Sequence, residues 1–211
     1  MSEQSNYLLV VEDIPNILEL IVTTLKFKGG YRVVGATNGM EALDAIRQER
    51  PALVVTDILM PKMDGFNLVH HLRLDLETRD IPVIFLSATY IAPEDKSFAT
   101  LVGATRFLEK PIDIDRFMQT VSELLKEELS TRSEPLKELE FYEGYQKRLK
   151  IKLEQKDKQI VRVERFLPTI KTDDEKNAMA NSLLVAVNER EEIRLHLDEV
   201  GNRIDAIKKS E

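Results

Sequence analysis

Five short apolar runs punctuate the first 111 residues: 7–11 (YLLVV), 31–35 (YRVVG), 52–56 (ALVVT), 82–86 (PVIFL) and 105–108 (TRFL). Their near-continuous apolar character predicts strands covered on both faces, as in a parallel sheet. Between the runs the period changes. Ile17, Leu18, Ile21, Val22 and Leu25 share one stripe, which predicts a helix over 15–27 with Pro15 in its first turn. Similar patterns predict helices over 38–49, 65–74, 94–102 and 113–128. Strand and helix alternate five times, the pattern of a doubly wound α/β domain with right-handed crossovers.

After residue 129 no strand signal remains. Residues 130–135 (STRSEP) read as a short polar linker. Beyond it, Leu139, Tyr142, Gln146, Leu149, Leu153, Lys156, Ile160, Val163 and Leu167 keep a 3-4 spacing, and seven of the nine are apolar. Pro168 interrupts that helix. Thr172 and Glu175 form a capping-box pattern ahead of a second run: Met179, Leu183, Ala186, Arg190, Ile193, Leu197, Val200, Ile204 and Ile207. Two long helices joined by a short turn predict an antiparallel, coiled-coil-like hairpin. The expected organisation is therefore an α/β domain over 1–129, a linker over 130–135 and an all-α hairpin over 136–211. A lone hairpin hides its stripes poorly, so 136–211 is expected to form a homodimer or to dock on a helical protein partner.

Charge refines this picture. The net charge of −7 resides wholly in residues 1–130, which hold 20 acidic and 13 basic side chains, while 131–211 hold 17 of each. That balance, without a helix-turn-helix spacing, argues against a nucleic-acid-binding role. Within the tail, residues 147–165 carry eight basic and three acidic side chains, and 173–199 carry eight acidic and three basic. The two helices are thus electrostatically complementary, which guides register more than it stabilises. Cysteine is absent, excluding disulfides and thiolate metal sites. No signal peptide opens the chain and no apolar run reaches membrane-spanning length, so a soluble cytoplasmic protein is expected.

The chemistry sits where the apolar runs end. Glu12 and Asp13, Asp57, Ser87 and Lys110 close four different runs. In an open α/β sheet the carboxyl ends of the strands share one edge, so these residues are expected to meet in one crevice. Carboxylates gathered with one lysine suit a magnesium-dependent phosphoryl site. Taken singly each has a plainer reading: Glu12 and Asp13 as a turn or helix cap, Ser87 as structural, Lys110 as a loop lysine. Asp57 at the end of an apolar strand is harder to dismiss, since strands deplete aspartate and its charge resists burial.

The motifs VVED at 10–13, DILMPKMDG at 57–65, LSA at 86–88 and KP at 110–111 together resemble the receiver domain of two-component response regulators, over about residues 6–128. The resemblance implies a flavodoxin-like five-stranded parallel sheet of order 2-1-3-4-5. It implies that Asp57 accepts a phosphoryl group from a histidine kinase. It also implies that Mg2+ is held by Glu12, Asp13, Asp57 and the backbone carbonyl of Leu59, that Lys110 and Ser87 contact the phosphoryl oxygens, and that the Lys110–Pro111 bond is cis. Phe107 matches the family's switch aromatic, acting with Ser87; a plain core role for it stands equally open. The implied function is a phosphorylation switch working through protein–protein contacts of the tail, not an enzyme. Its alternatives are a phosphotransfer relay or phosphate sink and a DNA-binding regulator. A haloacid-dehalogenase-type phosphatase would need an aspartate where Leu59 stands. Gly65 suits a turn or a helix start with unusual dihedrals, and Tyr90, Ile91 and Pro93 make the loop after Ser87 unusually apolar. His70 and His71 are expected at the surface or boundary of the third helix. His196, on the last helix, is a weak candidate for phosphotransfer because EIRLHLDEV lacks a recognisable pattern.

Overall fold

Successive residues of a strand face opposite sides of its sheet, and here both sides are apolar. In β1 (Tyr7–Val11) all five residues are buried. β3 (Leu53–Asp57) and β4 (Val83–Ser87) are buried likewise, whereas the edge strands β2 (Arg32–Ala36) and β5 (Arg106–Glu109) are only partly covered, against the expectation that all five runs are enclosed on both faces, because an edge strand has a neighbour on one side only. In this computed structural model, which describes residues 7–87, 93–126, 136–170 and 172–210, the strands form one parallel sheet in the order β2-β1-β3-β4-β5. The chain divides into two units, Met1–Leu136 and Lys137–Glu211. The expected linker at 130–135 and the apolar loop residues Tyr90 and Ile91 lie outside the described residues.

Helices cover both faces. Leu8, Val10, Leu53, Val55, Ile84 and Leu86 pack with Ile21 and Leu25 of α1 (Pro15–Gly29) and with Phe117, Val121 and Leu124 of α5 (Ile114–Lys126). The alternate residues, among them Leu9, Val54 and Phe85, are buried as are the inner residues of α2 (Gly39–Gln48), α3 (Gly65–Leu74) and α4 (Pro93–Val102). Phe66 of α3 lies 5.0 Å from both Phe85 and Phe98, ring centre to ring centre. Each such buried side chain contributes roughly 1.5–3 kcal/mol of transfer free energy.

Local signals set the ends of these helices. Pro15 opens α1, and Gly30, in the left-handed region at φ 67°, closes it by donating its N–H to the Lys26 carbonyl. Asn38 caps α2, its Oδ1 accepting from the Met40 and Glu41 amides, and Asp64 caps α3 through the Asn67 amide. Four strands, β2 to β5, end one residue beyond the apolar runs, and three of them do so on polar residues. Asp57 pairs with Leu86, Ser87 pairs with Glu109, and the Lys110 amide donates to the Ser87 carbonyl. The polar side chains end the hydrophobic run, yet their backbones stay in the ladder. His70 is buried, not at the surface, because α3 carries buried residues on almost all its sides (Phe66, Leu68, Val69, Leu72, Arg73).

The second unit is helical. It comprises α6 (Glu138–Phe166), a 3-10 turn at Leu167–Thr169 containing Pro168, and α7 (Asp173–Ser210). Ion pairs Glu143–Lys208, Asp157–Arg190, Lys156–Glu189 and Glu138–Arg203 show the two helices to be antiparallel. All eighteen stripe positions named from the sequence are buried or half-buried. Two of them, Lys156 and Arg190, are cationic and are held by Glu189 and Asp157 across the seam, a polar layer that specifies register rather than adding stability. Phe141, Tyr145 and Arg148 are buried as well and lie outside the expected stripe. Thr172 and Glu175 meet, the hydroxyl donating to the carboxylate at 2.6 Å. No helix among the described residues is long and apolar enough to cross a membrane.

Candidate functional site

The strand order reverses between β1 and β3, which is where open α/β sheets bind their ligands. Val11 pairs with Thr56, so Glu12 and Asp57 emerge side by side at the carboxyl edge. Ser87 ends the next strand and Lys110 follows the last, its bond to Pro111 cis. Lys110 Nζ donates to Glu12 Oε2 at 2.6 Å and to Asp57 Oδ1 at 2.8 Å. The other oxygen of Asp57 accepts from the Leu59 amide at 3.0 Å. Residues 98 and 53 positions from Lys110 in sequence thus converge on one ammonium. Glu12 and Asp13 do not cap α1, whose N-cap is Ile14.

The electrostatics are those of a carboxylate cluster short of positive charge. Burial pushes the Glu12 carboxyl up, and Asp57 and Asp13 add to this, while Lys110 offsets part of it. Asp13 is raised too, first by burial and then by Asp57. For Lys110, burial opposes the charge, but Asp57 and Glu12 together outweigh it and its pKa rises. Glu12 is 1% exposed, and its Oε1 has no hydrogen-bond partner among the described residues. A buried carboxylate oxygen without a partner is costly, and a cation or a water bound to one would satisfy it. The donor set is all oxygen, which suits a hard ion. Among the described residues no three side chains of the His, Cys, Asp and Glu class are grouped closely enough to hold a metal unaided. Mg2+ is a hard ion of this kind, taking oxygen ligands and retaining several waters.

These shifts give a signed expectation. Because the folded Glu12 pKa lies above its unfolded value, its contribution favours the fold below the unfolded pKa and is lost as pH rises through the folded one. At neutral pH without metal, Glu12→Gln should therefore raise the melting temperature by a few degrees, and the gap should close as pH falls past the ordinary glutamate range. Thermal melts in chelator across that pH range check this. A lower melting temperature for the variant at neutral pH would mean that pairing with Lys110 outweighs burial.

The loop from Asp57 to Gly65 shapes the mouth of the crevice. Lys62 sits at φ 65°, and the Met63 amide donates to the Pro61 carbonyl at 2.7 Å, a γ-turn about a non-glycine residue. Gly65 starts α3 as expected but without the unusual dihedral, since the positive-φ glycines among the described residues are Gly30 and Gly103. Its requirement is space: a Cβ there would lie 2.2 Å from the Asp57 carbonyl oxygen. On β5, Phe107 is half-buried, and Lys96 Nζ lies 5.8 Å from its ring centre while pairing with Glu109. This cation over the aromatic joins α4 to β5 through the tertiary fold, and no local motif announces it.

A five-stranded sheet of order 2-1-3-4-5 with an acidic crevice and a lysine at its switch point defines a signalling domain of the CheY-like class. The response regulator receiver domain matches residues 8–122, and the chain belongs to that family. Response regulator Rre1 of Synechocystis is 33% identical over 139 residues, 66% of this chain and 60% of Rre1. Protein PilH of Pseudomonas aeruginosa is 35% identical over 118 residues, covering 56% of this chain and 96% of PilH. The chain thus spans most of PilH but less than two thirds of Rre1. Among solved structures, the receiver domain of a signal transduction histidine kinase from Syntrophus aciditrophicus superposes with a TM-score of 0.55 at 34% identity, over 62% of this chain and 98% of that one. Chemotaxis response regulator CheY4 of Vibrio cholerae gives 0.52 at 31% identity, over 56% and 98%. The family match lies within the α/β unit.

Proposed function

We propose that this chain is a phosphorylation-dependent response regulator in which Asp57 takes a phosphoryl group from a histidine kinase and the helical tail carries the output through protein contacts. The observation that supports it is the Asp57 carboxylate, at the strand edge and held in place by Lys110 and the Leu59 amide. Asp57 Oδ1 attacks phosphorus, the phosphorus–nitrogen bond of the phosphohistidine breaks, and the imidazole nitrogen leaves with a proton. Both reactants are anionic, so positive charge must be supplied. Glu12, Asp13, Asp57 and the Leu59 carbonyl would hold Mg2+, directly or through its waters, and the ion would supply positive charge to the phosphoryl oxygens. Lys110 leaves its carboxylate partners to pair with one phosphoryl oxygen as a point charge, and Ser87 donates its hydroxyl to another. Drawing Ser87 inward frees room for Phe107, which couples the site to the α4–β5 surface. The covalent group shifts the population only because it favours one state over the other. The tail pairs with a second copy as its output.

Incubation with acetyl phosphate should label the protein in Mg2+ and leave it unlabelled in chelator. Light scattering on the full chain, with and without a beryllium fluoride phosphoryl mimic, should report a dimer and a change in its strength. Equal labelling in chelator would sink the metal-assisted site, and a monomer under both conditions would sink the tail's role.

A further inference from the structure

Registered partners in a parallel sheet present their side chains to the same face. Phe107 pairs with Phe85, and Glu109 pairs with Ser87, so these four side chains share one side of the sheet. It is the side of α3 and α4, because Phe85 packs on Phe66, whereas Leu108, between Phe107 and Glu109, packs with the layer of α1 and α5. Lys96 reaches down from α4. Its ammonium donates to Glu109 Oε1 and stands over the Phe107 ring, 5.8 Å from the ring centre. The bond to Lys96 holds the Glu109 carboxyl below its usual range, and the charge of Arg116 adds to this. The backbone under Glu109 is fixed in turn, by the pairing with Ser87 and by the Lys110 amide on the Ser87 carbonyl. The cation is therefore tethered to the strand, beside the two residues read as the switch, and it covers the half-buried Phe107 ring from α4.

We propose that Lys96 is a positioning residue that holds Phe107 in its resting place and so sets the threshold of the switch. The inference rests on the reading of Ser87 and Phe107 as the switch pair and adds the residue of this chain that opposes them. A cation over an aromatic face is attracted by the ring's quadrupole. When the ring turns into the room that Ser87 vacates, it leaves the ammonium, and the ammonium cannot follow because Glu109 tethers it. The clasp thus favours the unphosphorylated state, and the phosphoryl group has to overcome it. Removing the clasp shifts the population toward the active state and tightens a ligand that selects that state.

The test is uptake of beryllium fluoride by the full chain in Mg2+, with half-saturation read by fluorine NMR of the bound mimic. Lys96→Met keeps the reach of the side chain and removes its charge. It should bind the mimic about two- to fivefold tighter than the wild type, the range that an exposed cation–ring contact is worth. Lys96→Arg restores the cation and should bind like the wild type. In a Phe107→Leu background the Lys96→Met change should have no effect, because there is no ring to release. Thermal melts check that each variant folds. In the free protein, a soluble paramagnetic probe with ring-labelled phenylalanine reads how exposed Phe107 is. That exposure should fall in Lys96→Met, whereas mere loss of a covering side chain would raise it. Unchanged or weaker binding by Lys96→Met overturns the proposal, as does a tightening that persists without the ring. If the wild type takes up no beryllium fluoride, the Asp57 reading fails, and the probe alone judges the clasp: a Phe107 ring no less exposed in Lys96→Met overturns it.

Discussion

Asp57→Asn is expected to abolish phosphate uptake from acetyl phosphate while leaving the fold as stable as before or slightly more so. The substitution is nearly isosteric, and the amide can keep the Leu59 N–H contact through its oxygen. What it removes is the nucleophile, since an amide oxygen does not form the acyl phosphate that a carboxylate forms. Nearby carboxylates do not replace it. Glu12 is 1% exposed and already bonded to Lys110, so its approach to an incoming phosphorus is blocked. Asp13 follows Glu12 out of β1 and is assigned to the metal. Stability should hold because Lys110 retains Glu12 as partner, and one carboxylate fewer relieves the raised Glu12 and Asp13 groups. Gel retardation of the acyl phosphate and thermal melts in chelator measure both halves. Labelling of the variant at the wild-type rate would place the acceptor elsewhere.

Much of the α/β unit is legible in the sequence because its physics is local and repeated. An apolar run that stops at Asp57, Ser87 or Lys110 marks both a buried strand and the edge where that strand ends. Parallel topology then gathers those ends into one crevice without any further information. The helix seam was readable for the same reason: its period is set by geometry alone, and even the cationic Lys156 and Arg190 could be placed on it. What stayed hidden depends on contacts between elements. The ion pair of Lys96 with Glu109 beside Phe107 needs α4 and β5 side by side. The positive φ of Lys62 has no signal in a lysine, a residue that rarely takes that conformation. Phe141 and Tyr145, stacked with centroids 5.8 Å apart, form a second buried row that a single-stripe reading passes over. His70 looks like a surface residue by chemistry and is buried because of the helix that carries it.

Gly65→Ala is expected to do more damage than any other single-methyl change, and the reason is distance. The added Cβ would lie 2.2 Å from the Asp57 carbonyl oxygen, 3.2 Å from its carbonyl carbon and 3.0 Å from the Phe85 ring. Two of these neighbours are backbone, fixed by the pairing of Asp57 with Leu86, so the strand cannot yield. The loop must move instead, and it is held by the Gly65 amide on the Ile58 carbonyl at 2.9 Å and by the Asp64 cap of α3. Shifting it breaks these bonds or drags the Leu59 amide off Asp57. Overpacking of this kind costs about 1–3 kcal/mol, and loss of a cap about 1 more. The receiver unit should therefore melt well below the wild type, and the fraction that remains folded should take up phosphate slowly because the Asp57 carboxylate is no longer held. Gly201→Ala is the matching control: its Cβ would meet only the Gln146 side chain, at 3.8 Å, and alanine favours a helix interior by up to about 1 kcal/mol. That variant should be neutral or stabilised and should label normally. If the two alanines behave alike, the close approach of the loop to Asp57 does not control the site, and the crevice is more pliable than its hydrogen bonds imply.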